Sequence, residues 1–134
     1  MGAAEGELGR MKKERSVHSA TAHVEATEAI MRNAVLPRVQ LAAKASESWG
    51  NQAETSDVFQ TSTITGIIHV RVTLRIVSDS SSASEIQIIA STKSNVIAIE
   101  AQRGHEKRRW PKISLTAEGI SSHVDKALHE FLTW

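Results

Sequence analysis

The chain has 134 residues, of which 40% are hydrophobic and 23% charged, and its formal net charge is +1. This length suits one domain with a single core, and a net charge near zero gives the whole molecule no field that marks a nucleic-acid or membrane partner. The sequence contains no Cys, which excludes disulfides, thiolate metal sites and thiol nucleophiles and fits a reducing compartment.

The first stretch of the chain, MGAAEGELGRMKKERS, has no apolar region of the kind found in signal peptides. Position 6 is Gly, so the pattern for N-myristoylation also fails. No apolar run approaches the roughly 20 residues of a transmembrane helix. We predict a disordered tail over residues 1–15 and a single domain over 16–134, in a soluble cytoplasmic protein without a membrane partner.

Residues 16–24 have two interpretations, because their alternation fits a first strand and their Ala content fits the opening turns of a helix. The stretch ATEAIMRNAV that follows predicts a helix, in which Pro37 causes a kink or a restart. The helical pattern then continues to Gly50, a residue typical of the position after a helix end. Residues 51–57 predict a loop.

The clearest pattern lies in residues 64–77, where apolar side chains alternate with polar ones. The apolar residues occupy even positions: Ile64, Ile68, Val70, Val72, Leu74 and Ile76. The polar residues occupy odd positions: Thr65, His69, Arg71, Thr73 and Arg75. A period of two predicts one long strand with a buried face and a solvated face. We therefore expect Val72→Asp to be severe and Arg71→Asp to be mild.

Further strands follow this one. Residues 78–84 are polar and predict a loop, and 85–93 alternate again, so the two strands form an antiparallel hairpin. Residues 96–101 predict a third strand, although a short helix also fits, and KISL (112–115) adds a short strand. These strands define an antiparallel sheet centred on 62–77 and 85–93.

The chain ends in an amphipathic helix, predicted near 117–132 with Thr116 as its N-cap. Apolar residues at helical spacing form one stripe along it: Ile120, Val124, Ala127, Leu128 and Phe131. The fold class is therefore α+β, a two-layer sandwich of three to five antiparallel strands covered by an N-proximal helix, or kinked helix pair, and a C-terminal helix. If residues 16–24 form a strand, this order resembles a shortened helix-grip fold, a likeness that carries no function.

The stretch QRGHEKRRWPK (102–112) holds five of the sixteen Lys and Arg residues. With the exposed sheet face it gives a candidate site for an anion or nucleic acid: Arg71, Arg75, Arg103, Lys107, Arg108, Arg109 and Trp110. Single-strand binders stack bases on exposed aromatic side chains, whereas this chain is only 4% aromatic. We therefore favour an exposed connection with solvated charges and a packed Trp110, and expect no specific nucleic-acid binding.

Metal and catalytic sites are not indicated. No two of the six His residues share a helix face at ligand spacing, and no strained Gly-x-Ser-x-Gly turn or Gly-rich phosphate loop is present. We predict no metal, no cofactor and no catalytic residue. An active site would be indicated if two or more of four side chains met around one pocket with shifted pKa values. These are His69, Glu85, Glu100 and His105.

The remaining candidates are a small apolar ligand and a second chain. Six residues could line a cavity between helices and sheet, although a packed core is the default: Ile68, Val70, Leu74, Ile88, Val124 and Leu128. If the long strand lies at a sheet edge, it could pair with another copy. We predict a non-enzymatic binding or assembly module that self-associates as a dimer, with anion or nucleic-acid binding and apolar-ligand binding as alternatives.

Overall fold

The computed structural model describes residues 22–78, 82–116 and 118–134. Helix α1 covers 22–48 and contains a π-helical turn, Met31–Val35, before its last segment, Leu36–Ser48. Six strands and a second helix follow: β1 (Gln52–Thr55), β2 (Phe59–Ser62), β3 (Ile68–Val77), β4 (Ala83–Ser91), β5 (Val96–Arg103), β6 (Glu106–Ser114) and α2 (Ile120–Leu132).

All strand pairs are antiparallel, in the order β1-β3-β4-β5-β6, with β2 also paired to β3. The predicted α+β class with an antiparallel sheet is confirmed. The sheet has six strands rather than three to five, because β1 forms where a loop was expected and β2 is separate from β3. No helix in the described ranges is long and apolar enough to cross a membrane.

Strands β1 and β2 run along the same edge of β3. Thr55 pairs with Leu74 and Phe59 with Arg71, so the β1–β2 side has one extra residue, which forms a bulge. The Asp57 carboxylate stabilises this bulge, since its Oδ1 accepts hydrogen bonds from the Val58 amide (2.7 Å) and from Arg32 of α1 (2.9 Å).

Both helices pack on one face of the sheet. The sheet side of the core consists of fully or nearly fully buried residues from three central strands: Val70, Val72, Leu74, Ile86, Ile88, Ala90, Ile97, Ile99 and Ala101. The helix side contributes Met31, Val35, Val39, Val124, Leu128 and Phe131. No described helix covers the opposite face, which we call the open face.

Helix α1 continues through Pro37 instead of restarting. Pro lacks an amide hydrogen, and the π-helical turn lies directly before it, where the Leu36 N–H donates to the Met31 carbonyl five residues back. Gly50 follows the helix with φ 91°, as expected for a residue after a helix end. Residues 22–24 are helical, so the strand interpretation is wrong for them. Residues 1–21, including the predicted tail, lie outside the described residues.

The long alternating stretch, 64–77, begins in a turn and forms a shorter strand than predicted. Residues 63–67 form the turn between β2 and β3, with Gly66 at φ 84°. Ile64 lies in this turn, fully exposed. Only 68–77 forms the strand, and β3 lies inside the sheet between β1/β2 and β4. The condition for pairing with a second chain through this strand, a position at a sheet edge, is therefore not met.

Residues 102–112 are not a connection, which corrects the prediction for this stretch. They form the end of β5, a turn at Gly104–His105, and most of β6. Pro111 lies within β6, which is an edge strand, where a missing N–H need not remove a bond between strands. Helix α2 begins at Ile120 after Gly119, so Thr116 is not its N-cap.

Candidate functional site

The open face carries charges of both signs on neighbouring strands. Strand pairing places Glu54, Arg75 and Glu85 side by side on β1, β3 and β4. It also places Glu100 of β5 beside Arg109 of β6. Directly opposed unlike charges stabilise antiparallel pairs, and here they give the face a mixed rather than a basic character.

A groove of about 480 Å³ lies at one end of the open face, and we call it the charged groove. It is lined by Arg75, Ala83, Ser84, Glu85, Gln87, Glu100, Ala101, Gln102, Gly104, Lys107, Arg108 and Arg109. Of the anion or nucleic-acid candidates, four residues line this groove and three do not. Those in the lining are Arg75, Lys107, Arg108 and Arg109, and those outside it are Arg71, Arg103 and Trp110.

A hydrogen-bond chain fixes one side of this groove. Arg71 donates from Nε to the Thr61 hydroxyl (2.8 Å) and from Nη1 to the Gln87 side-chain oxygen (3.0 Å). Gln87 in turn donates to Glu85 Oε1 (2.9 Å), and Arg109 Nε lies 3.6 Å from Glu100 Oε1. Arg71 therefore donates to neutral side chains, and the Glu85 carboxylate accepts a hydrogen bond from the Gln87 side-chain amide.

The strand period divides the basic stretch between two faces. Lys107 and Arg109 lie on the open face, whereas Arg108 pairs with buried Ala101 and lies on the helix side. There the Arg108 guanidinium sits 4.7 Å from the ring centroid of Trp134. Arg103 also lies on that side and donates to the Trp134 backbone oxygen. The cations close in sequence therefore do not form one patch.

Trp110 is half-buried at the edge of the core, opposite Ile99. Its indole N–H donates to Glu130 Oε2 of α2 at 2.5 Å. The expectation that Trp110 packs against the domain is confirmed. The Trp110 ring therefore packs on the helix side of the sheet and does not lie on the open face, where a base could stack on it.

Sequence reasoning missed the aromatic residue that does lie on the open face. Phe59 of β2 is 37% exposed and pairs with Arg71. In the same row across the sheet, Arg71 separates Phe59 from Ile89 and Ala98, which pair with each other, and Val96 lies two residues from Ala98; these three apolar residues are half-buried. We call these three residues and Phe59 the apolar patch. The bulge at 56–58 interrupts the alternation that would have placed Phe59 on this face.

The six apolar-ligand candidates lie in or beside the core. Four of them are completely buried: Val70, Leu74, Ile88 and Val124. Leu128 is nearly so, and Ile68 is half-buried at the start of β3. None of the six lines the charged groove.

Of the four residues whose convergence would indicate catalysis, two meet. Glu85 and Glu100 line the charged groove, whereas His69 and His105 do not line it. His105 lies in the β5–β6 turn. Both carboxylates have partners, Gln87 and Arg109, and no His is among the described residues that line the groove.

Two other histidines lie within hydrogen-bond distance of backbone carbonyl oxygens. His23 Nε2 lies 2.7 Å from the Thr92 oxygen, and His123 Nε2 lies 2.8 Å from the Pro111 oxygen. They connect α1 and α2 to the ends of strands. Within the described part of the chain, no group of three or more His, Cys, Asp or Glu residues is arranged to hold a metal ion.

Comparisons with family models, with curated proteins and with solved structures gave no match to this chain. The open face, with its apolar patch and its charged groove, is therefore the surface that indicates a function.

Nucleic acid is expected to bind weakly, because affinity grows with the number of phosphates neutralised and the basic residues are split between two faces. We expect no binding tighter than about 100 µM for a labelled single strand or duplex at about 50 mM salt. Fluorescence anisotropy measures this. Micromolar binding that is lost at about 200 mM salt, and lost in the Arg108→Ala/Arg109→Ala double variant, would contradict the expectation.

Proposed function

We propose that the protein is a non-enzymatic assembly module that forms a homodimer by packing its open face against that of a second copy. The observation that carries the proposal is the apolar patch on a sheet face that no described helix covers. Apolar side chains on an uncovered sheet face, flanked by polar residues, are typical of protein interaction sites.

The edges of the sheet are poorly suited to pairing with another chain. Edge strand β6 contains Pro111 and consecutive cations at Lys107, Arg108 and Arg109, all of which oppose addition of a further strand. The other edge is interrupted by the bulge at 56–58. Association is therefore expected through the face rather than through an edge.

The charges of the open face favour a second copy as the partner. Four cations, Arg71, Arg75, Lys107 and Arg109, share the face with three carboxylates, Glu54, Glu85 and Glu100. A two-fold interface brings the same surface together twice, so it needs both signs on one face. A strongly acidic or strongly basic partner would meet like charges at several positions.

The area of the open face also fits a dimer. The sheet is five strands wide, since β1 and β2 share an edge, and its longer strands have nine or ten residues. At ~4.8 Å between strands and ~3.3 Å per residue, the face measures roughly 24 by 30 Å, or about 700 Å². Stable interfaces bury about 800 Å² per partner.

Dimerisation is tested by sedimentation velocity across a range of protein concentrations. We expect the wild-type chain to shift from monomer to dimer, and Ile89→Glu to raise the dimer dissociation constant by about tenfold or more, because a buried charge in the apolar patch loses its hydration. Arg71 pairs with Ile89, so the introduced carboxylate has a neighbouring cation within the folded monomer.

Leu41→Glu provides the matched control, since Leu41 is 65% exposed on α1, in the helix layer. We expect this variant to dimerise like the wild type. A wild-type chain that stays monomeric at about 200 µM, or loss of the dimer in Leu41→Glu but not in Ile89→Glu, would rule out the open face as the interface.

The cytoplasm is the compartment we propose, because a chain without Cys gains nothing from an oxidising environment.

A further inference from the structure

The charged groove gathers cations at one end of the open face. Its lining contains four cations, Arg75, Lys107, Arg108 and Arg109, and two carboxylates, Glu85 and Glu100. The Arg108 guanidinium lies at Trp134 on the helix side, so three cations face two carboxylates on the open face itself.

Several of these charges are already engaged. Arg109 lies beside Glu100, Arg108 stacks on Trp134, and Glu85 accepts a hydrogen bond from Gln87. Arg75 and Lys107 differ, because neither has an ion-pair partner among the described residues. Both are exposed at the groove. They are the two cations left to meet a ligand.

Strand pairing places these two cations on opposite sides of the groove. Arg75 pairs with Glu85, Glu85 with Gln102, and Gln102 with Lys107, so one row crosses four strands. The ends of the row are three strand spacings apart, about 14 Å. Arginine and lysine side chains are long enough to reach inward from both ends and to meet one anionic group between them.

The floor between them is polar: Glu85, whose carboxylate accepts a hydrogen bond from Gln87, adjoins Arg75, and Gln102 adjoins Lys107. Gln102 donates to the Gly104 oxygen at 3.1 Å, which leaves its side-chain oxygen as an acceptor. Glu100 supplies further acceptor oxygens. A volume of about 480 Å³ suits a small molecule, whose sites measure ~300–1,000 Å³.

We propose that the charged groove binds a small phosphate monoester rich in hydroxyl groups, the class that includes sugar phosphates. The phosphate lies over Gln102, within reach of Lys107 and Arg75, and ligand hydroxyls donate to the carboxylates of Glu85 and Glu100. A phosphate monoester carries a charge of about −1.5 to −2 at neutral pH, enough to share between two cations. A ligand with several separated carboxylates would meet Glu85 and Glu100 and be repelled.

Ribose 5-phosphate is the probe, titrated against ¹⁵N-labelled protein by NMR, with ribose as the neutral comparison. We expect saturable shifts confined to strands β3–β6, with a dissociation constant of about 1 mM or tighter, and no saturation with ribose. Arg75→Gln and Lys107→Gln should each weaken binding about fivefold or more, because each removes one charge-assisted contact. Lys44→Gln, the same charge change on exposed α1, should leave it unchanged.

The charged groove lies on the face that closes in the proposed dimer, so the titration is repeated on Ile89→Glu, in which the groove is expected to stay open. Phosphate-ester binding by that variant supports the site whether or not the wild type dimerises. The proposal is overturned if ribose 5-phosphate fails to saturate by about 10 mM, or if Lys107→Gln and Lys44→Gln behave alike. It is also overturned if inorganic phosphate binds equally well, because hydroxyl recognition would then be absent.

Discussion

Val72→Asp is expected to lower the free energy of unfolding by about 4 kcal/mol or more, enough to leave much of the chain unfolded. Val72 is completely buried and pairs with Ile88, which is also completely buried. It lies on an interior strand, beneath the two helices. A carboxylate there would lose its hydration and find no cation, which is among the most costly single changes in a small domain.

The neighbouring residue provides the control for this experiment. Thr73 lies on the open face, and we expect Thr73→Asp to cost less than about 1 kcal/mol. Arg71→Asp is a poorer control than the sequence suggested, because Arg71 donates two hydrogen bonds, to Thr61 and Gln87. Losing them should cost about 1–2 kcal/mol.

Urea unfolding followed by far-UV circular dichroism measures these differences. All variants are compared at one protein concentration, because a dimer would make apparent stability depend on concentration. Similar losses for Val72→Asp and Thr73→Asp would mean that both faces of β3 are accessible to water, in conflict with a helix layer on only one of them.

Periodicity in the sequence was enough to predict the layers of the fold. Alternation in 68–77 and 85–93 corresponds to β3 and β4, whose apolar residues face the helices. All five residues of the predicted C-terminal stripe are buried in α2. Each of these elements buries one face, so its apolar residues recur in the sequence at the spacing of a strand or a helix.

The edge strands could not be predicted in the same way. Strand β1, with sequence QAET, alternates only between exposed and half-buried positions, so its residues need no strong hydrophobic pattern. It forms because β3 offers unpaired backbone groups along its length. Strand β6 could not be predicted for a different reason. Pro111 is tolerated there only because the strand lies at an edge of the sheet, and the sequence alone does not show which strand lies at an edge.

The sequence was enough to predict which face of the sheet a candidate residue occupies, but not which residues lie beside it. Alternation placed Arg71 and Arg75 on the solvated side of the sheet, which the structure confirms. Which strands adjoin β3, and in what register, depends on pairs distant in sequence. The meeting of Arg75 with Glu54 and Glu85 therefore could not be inferred, nor could the division of the basic stretch between two faces.

Leu74→Ala is expected to cost about 3–5 kcal/mol, and this value tests whether the apolar residues form a packed core or line a ligand cavity. Leu74 is completely buried on β3, paired with Ile86. In a close-packed core, truncation removes the transfer free energy of the side chain and also leaves a new cavity.

A residue lining an existing empty space would lose much less, about 1–2 kcal/mol, because fewer contacts are present to be lost. Urea unfolding measures the difference, with Ile64→Ala as the control, since fully exposed Ile64 should change stability by less than about 0.5 kcal/mol. A small loss for Leu74→Ala, recovered on adding an apolar ligand such as benzene, would favour a binding cavity between helices and sheet. The large loss expected from the buried side chains would instead assign this interior to folding alone, leaving the open face as the surface available to partners.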